Sequence, residues 1–106
     1  MTDAPGHPIS DNVKKSRFEA DLGDGSFAIA EYRLSDGKIA FTHTEVPASH
    51  AGRGIATALV RFALNSARDR GLKVAPICPF VAAYFKAHAE EEDLLDSVWR
   101  EKLGLA

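Results

Sequence analysis

The segment VPASHAGRGIATALV, Val46–Val60, decides the fold because it joins an extended pattern to a helical one. Before Pro47, apolar and polar residues alternate with a period of two, which is typical of a strand. After Pro47, apolar residues recur at i, i+4 and i+7, which predicts a helix of about four turns ending at Gly71. The residues of this apolar stripe are Ile55, Leu59, Phe62, Ala63 and Ala67.

The loop before this helix carries Gly52, Arg53 and Gly54. Glycine has no Cβ to keep a ligand away, and the first turn of a helix exposes unpaired N–H groups with a partial positive charge. Together with the charge of Arg53, these groups favour binding of an anion, phosphate above all. The alternative is that the glycines only mark the loop.

Around this segment, the pattern predicts an α/β (α+β) fold. Three alternating runs, RFEADL, SFAIAEYRL and KIAFTHTEV, are separated by GDG and SDG, which predicts a three-stranded antiparallel meander. The helix, a short buried strand in LKVAPIC and a helix starting at Pro79 follow, and EEDLLDSVWREKL predicts a C-terminal helix. Residues 1–14, with Pro5, Gly6 and Pro8, are expected to form a flexible N-terminal arm, and residues 15–106 a single domain.

Composition excludes several classes of function. The chain has 106 residues and a formal net charge of −2, with no basic stripe interleaved with aromatic residues, so we expect no nucleic acid partner. No apolar run could cross a membrane or serve as a signal peptide. Cys78 is the only cysteine, and His43 and His50 lack further ligands at any recognised spacing, so we expect no disulfide and no metal in a cytoplasmic protein.

Four residues are candidates for catalysis. If Pro79 is the first helical residue, Cys78 is the N-cap, where the helix dipole favours the thiolate; the alternative is a buried small hydrophobe. His43 and Glu45 lie two apart on a strand, so they share a face and could act together or pair with a neighbouring strand. Tyr84 could donate a proton, or pack its ring on Phe80.

The Val46–Val60 segment resembles motif A of the GNAT superfamily of N-acetyltransferases, Gln/Arg-x-x-Gly-x-Gly/Ala. Gly54 and Ala56 stand on the last two defined positions, and Ala51 stands where Gln or Arg is usual. FTHTEVP and GLKVAPICPFVAAYFKAH look like a minimal GNAT subgroup with a Cys-Pro-aromatic segment. The resemblance covers residues 16–90.

The resemblance implies a protein that binds acetyl-coenzyme A between the strand ending at Val46 and the strand containing Ile77, with the pyrophosphate on main-chain amides. It implies acetyl transfer to an amine, either a protein lysine or a small amine; the alternative is a non-catalytic acyl-coenzyme A-binding or regulatory module. Tyr84 looks like the subgroup's tyrosine, and Cys78 would either accept the acetyl group or only lie against the cofactor. The basic side chains expected near the nucleotide are Arg53, Arg61, Arg68, Arg70 and Lys73. The implied cofactor-binding residues are Val46, Ala51, Gly52, Arg53, Gly54, Ile55, Ala56, Thr57, Cys78, Phe80 and Tyr84.

Overall fold

The computed structural model describes residues 3–4 and 7–105, which form a mixed α+β fold, the predicted class. The strands, in chain order and in spatial order, are β1 (Asp3–Ala4), β2 (His7–Asn12), β3 (Arg17–Asp21), β4 (Phe27–Ser35), β5 (Lys38–Glu45) and β6 (Lys73–Pro76). Neighbouring strands are antiparallel except β5 and β6, which are parallel. The helices in these residues are α1 (Ile55–Asp69), α2 (Pro79–Ala87) and α3 (Ser97–Lys102).

The predicted N-terminal arm is wrong for His7–Asn12, because this segment is strand β2 of the sheet. Ile9 pairs with Ala20 and Asn12 pairs with Arg17 on β3. Ile9 is the one buried residue of β2, so main-chain pairing rather than an apolar row fixes the strand. A strand with one buried side chain shows no alternation of apolar and polar residues in the sequence. Pro5 and Gly6 of the predicted arm lie outside the described residues.

Helix α1 packs across the sheet with a broader apolar face than predicted. Its buried residues are Ile55, Leu59, Val60, Ala63, Leu64 and Ala67, whereas Phe62 is only half-buried. Alanines on β3 and β4 are fully buried beneath it. The helix ends in a Schellman motif: Leu72 N–H donates to the carbonyl of Ala67 at 2.9 Å, and Gly71 has φ +68°. Gly71 is therefore the stop signal that the sequence predicted.

A β-bulge in β5 decides which side chains share a face near its end. Tyr32 pairs with Phe41 and Glu31 pairs with His43, so Thr42 is the extra residue. Paired residues of neighbouring strands point to the same face. Beyond the bulge, Thr44 lies opposite buried Ala30, and His43 lies in the row of Glu31.

The predicted C-terminal helix over 91–103 is broken in two. A 3₁₀ helix over Ala89–Leu94 ends before Leu95, which bridges Val74 of β6. Asp96 N–H donates to the Val74 carbonyl at 2.9 Å, and the Asp96 carboxylate caps α3 and contacts Lys38 Nζ at 2.9 Å. Two features stop one continuous helix: Leu94 and Leu95 are buried, and aspartate favours an N-cap position. The segment Leu95–Asp96 thus covers the outer edge of β6.

Candidate functional site

A cavity of about 270 Å³ lies where the end of β5, the loop before α1 and the start of α2 meet. Its lining includes one residue that the sequence did not assign to a site, His50. Arg53, Cys78 and Tyr84, which were predicted with the rest, do not line it. The predicted residues that the structure brings together here are Val46, Ala51, Gly52, Gly54, Ile55, Ala56, Thr57 and Phe80.

Main-chain N–H groups without partners border this cavity. The nitrogens of residues 52–57 make no hydrogen bond to any described residue, and the first closed helical bond is Ala58 N–H to the Gly54 carbonyl at 3.1 Å. Gly52 and Gly54 have φ of +79° and +77°, which favours glycine at both positions. Ala51 differs from its neighbours, since its N–H donates to the Ala48 carbonyl at 3.2 Å. Free N–H groups at the start of a helix are an arrangement that binds anions in other proteins.

The predicted basic residues divide between the two ends of α1. Arg53 and Arg61 are exposed and make no ion pair with a described residue. Arg68 instead contacts Glu91 at 2.9 Å and Asp93 at 2.7 Å. Arg70 and Lys73 also have partners near that end, about 20 Å along the helix from the cavity. Only Arg53 and Arg61 are therefore placed to add charge near the free N–H groups.

Strand β5 extends beyond β6 and opens the sheet next to the cavity. The two strands pair from Lys38–Lys73 to Phe41–Pro76, and β5 then continues to Glu45 while β6 has ended. Ile77, predicted to lie in the strand, follows it and is exposed. This opening between β5 and the segment after β6 is where the resemblance places the acyl group.

Cys78 lies beside this opening and is the N-cap of α2, as predicted. Its residue is 4% exposed, and its Sγ lies 3.4 Å from Thr44 Oγ1. Burial raises the pKa of the thiol, but the Thr44 hydroxyl and the nearby main-chain N–H groups at the start of α2 outweigh it, so the pKa is lowered. The sulfur thus favours the thiolate but is shielded.

The remaining predicted catalytic residues do not gather around Cys78. His43 and Glu45 are exposed and contact each other at 3.4 Å, in the rows of Glu31 and Ile29 rather than of Thr44. The bulge at Thr42 places His43 and Glu45 on the face opposite Phe41, whereas regular alternation would have put all three on one face. Tyr84 is buried and stacks on His88 at 4.0 Å between ring centroids, rather than on Phe80.

His50 is held in the cavity wall by a carboxylate from another loop. Its Nε2 lies 3.0 Å from Oδ2 of Asp24, which belongs to the connection between β3 and β4. Hydrogen bonds from Ser26 and His50 hold the pKa of Asp24 well below its usual range. No sequence signal links two loops 26 positions apart, because only the order of the strands brings them together.

The described residues lack two kinds of feature. No helix in this part of the chain has both the length and the apolar composition needed to cross a membrane. Within the same residues, no group of three or more histidine, cysteine, aspartate or glutamate side chains is arranged to hold a metal ion.

Comparison with known proteins identifies the family. The search of curated proteins found no match to this chain. The family model described as GCN5-related N-acetyl-transferase matches residues 17–94, a range that includes the sheet from β3 to β6, the cavity and both α1 and α2. The chain therefore belongs to the GCN5-related N-acetyltransferase family.

Proposed function

We propose that this protein transfers the acetyl group of acetyl-coenzyme A to an amine. The observation that carries the proposal is the row of unpaired main-chain N–H groups at residues 52–57, beside the opening between β5 and the segment after β6. In this proposal, these N–H groups and Arg53 hold the diphosphate. Val46, which lines the cavity, then guides the pantetheine arm toward the opening, and the Phe80 side chain covers the arm.

Family members use acetyl-coenzyme A, and the chain's own groups fit such a donor. Among the described residues that line the cavity, His50 is the only ionisable one, and Asp24, which is bonded to His50, does not itself line the cavity. The cavity is lined mainly by glycine, alanine and apolar side chains, which let main-chain atoms approach a ligand closely. The bound donor would supply an activated thioester to the opening.

The carbon–nitrogen bond forms as the neutral amine nitrogen attacks the thioester carbonyl, and the carbon–sulfur bond breaks. The nitrogen loses one proton, which ends on the departing sulfur, so the products are the amide and free coenzyme A thiol. Charge develops on the carbonyl oxygen during attack, and a main-chain N–H at the end of β5 is proposed to stabilise it. One oriented donor of this kind is worth about 3 kcal/mol in favourable cases.

We favour direct transfer to the amine over an acetylated Cys78. The thiol is 4% exposed, contacts the Thr44 hydroxyl and does not line the cavity, so an acetyl group on it would have to displace its neighbours. In direct transfer, Cys78 and Thr44 form the wall of the opening. Cys78→Ala is then expected to keep its activity within about tenfold, whereas a covalent route would lose all transfer.

The acceptor is proposed to approach from the exposed apolar side chains at the opening. Ile77 is 51% exposed and Phe80 is 39% exposed, and both flank Cys78 in sequence. An amine next to apolar groups, such as a lysine in an apolar peptide or a small hydrophobic amine, would bury this surface. A lone cysteine without a disulfide fits a reducing compartment, so we place the reaction in the cytoplasm.

The experiment that tests the proposal is incubation with isotopically labelled acetyl-coenzyme A and a panel of small amines and lysine peptides, read by mass spectrometry. Gly54→Asp is the matched inactive control, because its carboxylate would occupy the diphosphate position. Labelled product from the native chain and none from the variant is the expected result. Equal product from both would contradict the placement of the donor.

A second candidate, a module that binds acyl-coenzyme A without turnover, is favoured by one observation. Among the described residues of the cavity lining, His50 is the only titratable one and is already bonded to Asp24, while His43 and Glu45 face away from Thr44. Such a module would show saturable binding of coenzyme A by calorimetry and no product with any amine. Absence of binding would reject both candidates.

A further inference from the structure

A second, larger cavity lies at the other end of α1 from the proposed donor site. Its volume is about 350 Å³, and it is an open cleft bordered by the last turns of α1 and by strands β2 and β3. This volume is within the range of pockets that bind small molecules. Nothing in the proposed acetyl transfer uses it.

One side of this cavity is aromatic. Phe62 of α1 is half-buried, and Phe18 of β3 lies beneath it, with the two ring centroids 5.9 Å apart in an edge-to-face arrangement. Phe62 is the residue of the predicted apolar stripe that the core does not fully cover. An apolar or aromatic body in the cavity would cover it and gain hydrophobic burial.

The other side carries carboxylates with unused acceptor capacity. Asp11 accepts a hydrogen bond from the Tyr32 hydroxyl at 2.7 Å through Oδ1, and its Oδ2 lies 3.8 Å from Arg70 Nη1, beyond hydrogen-bond distance. The carboxylate of Asp69 makes no hydrogen bond or ion pair with a described residue. Burial, with the Asp11 bond, raises the pKa of Tyr32 to about 12, so this hydroxyl stays a donor and fixes Asp11.

The net charge of the cavity lining favours a ligand of positive charge. Two carboxylates, Asp11 and Asp69, face one guanidinium, Arg70, so the lining has a net formal charge of −1. Arg70 and Asp69 are both exposed, so solvent screens both charges, and the 3.8 Å contact with Arg70 leaves Asp11 Oδ2 without a hydrogen bond from a described residue. An anion would meet two carboxylates, whereas an ammonium group can donate to both.

We propose that this cavity binds a small organic cation, an amine carried on an aromatic or apolar body. The ammonium group lies between Asp69 and Oδ2 of Asp11, and the body rests on Phe62. The site is separate from the donor cavity, so binding requires no coenzyme A and does not depend on acetyl transfer.

Four compounds of similar size and different charge test the proposal: phenethylamine, phenethyl alcohol, 3-phenylpropionate and phenylalanine. Each is titrated into the ¹⁵N-labelled full chain without coenzyme A, and backbone amide shifts are followed by NMR. Phenethylamine is expected to bind most tightly and to shift the amides of Phe62, Asn65, Ser66 and Asp69. Phenylalanine reports whether Arg70 also accepts a ligand carboxylate.

Variants separate a specific site from weak surface binding. Asp69→Asn is expected to weaken phenethylamine binding by about fivefold, the upper range for an exposed ion pair, and Ser66→Trp to abolish it by filling the cavity. Asp36→Asn is the matched control, because Asp36 is an exposed aspartate outside the cavity lining. It is expected to change the dissociation constant by less than about twofold.

Four results would overturn the proposal. The first is no saturable shift with phenethylamine up to about 10 mM, and the second is equal or tighter binding of the alcohol or the propionate. The third is equal affinity of phenethylamine for the native protein and for Asp69→Asn. The fourth is that the shifts are confined to residues 52–57 of the donor cavity. The spectrum of Ser66→Trp is first compared with the native one to check that this variant is folded. If Ser66→Trp is unfolded, the test depends on Asp69→Asn alone.

Discussion

The two ends of helix α1 differ in whether their terminal main-chain groups have hydrogen-bond partners. At the N-terminal end, the N–H groups of residues 52–57 have no partner among the described residues and border a cavity. At the C-terminal end, the carbonyls of Ser66, Ala67 and Arg68 accept bonds from the following turn, and Arg68 is paired with Glu91 and Asp93. The satisfied end anchors the fold, and the unsatisfied end is available to a ligand.

The largest expected effect comes from placing the same substitution at each end. Gly54→Asp is expected to lower the affinity for coenzyme A by more than about 100-fold, because a carboxylate would repel the diphosphate and a Cβ is strained at φ +77°. Gly71→Asp carries similar strain at φ +68° but lies at the anchored end. Calorimetry should show native affinity for this second variant, and similar losses in both would show that strain alone explains the effect.

Gly71→Ala tests the anchored end through stability. Gly71 follows the last turn in the left-handed region, where a side chain costs about 1–2 kcal/mol. The free energy of unfolding in urea is expected to fall by about that amount, with coenzyme A affinity unchanged. An unchanged midpoint of unfolding would mean that the Schellman motif contributes little to the fold.

Two arginines sharpen the same contrast. Arg53→Ala is expected to weaken coenzyme A binding by about fivefold without altering stability, because its guanidinium is exposed and makes no ion pair with a described residue. Arg68→Ala is expected to lower the free energy of unfolding without changing the affinity for coenzyme A, since it removes the contacts with Glu91 and Asp93. Calorimetry and urea unfolding of both variants measure the two effects, and a loss of affinity in Arg68→Ala would contradict the division.

The smallest effect concerns acid stability near the anchored end. The hydrogen bond with Lys38 holds the pKa of Asp96 below its ordinary value of 3.8. Its stabilisation is therefore complete above that value and is lost as the pH falls through the lowered pKa. Asp96→Asn should reduce the dependence of unfolding on pH below about 4, relative to Asp36→Asn, as measured by urea titrations at several pH values. Identical acid profiles would contradict the contribution of this pair.

Local patterns predicted α1, α2 and the central strands, but not the break that separates the 3₁₀ helix Ala89–Leu94 from α3. The stripe from Ile55 to Ala67 and the stop at Gly71 predicted α1, and Pro79 predicted the start of α2 with Cys78 as its cap. These features depend on residues close in sequence, so periodicity and capping chemistry could identify them. Strand β2 carries only one buried side chain, and its place depends on pairing with β3, so no local pattern indicated it.

The candidate site was predictable in its main chain and less so in its side chains. Glycines before a helix indicated the free N–H groups, because that geometry is local. His43 and Glu45 share a face as predicted, but the bulge at Thr42 decides which face, and the sequence does not show the bulge. The contact of His50 with Asp24 depends on two loops that only the assembled sheet brings together. Whether the predicted site residues bind or catalyse stays a prediction.

The segment Leu95–Asp96 has a consequence for how short the chain can be made. The family match ends at residue 94, yet the two residues after it occupy the open side of β6. A version trimmed to the matched range would leave a strand with unused donors and acceptors, which recruits strands from other molecules. Such a version would tend to self-associate in solution even with its cavity residues all present.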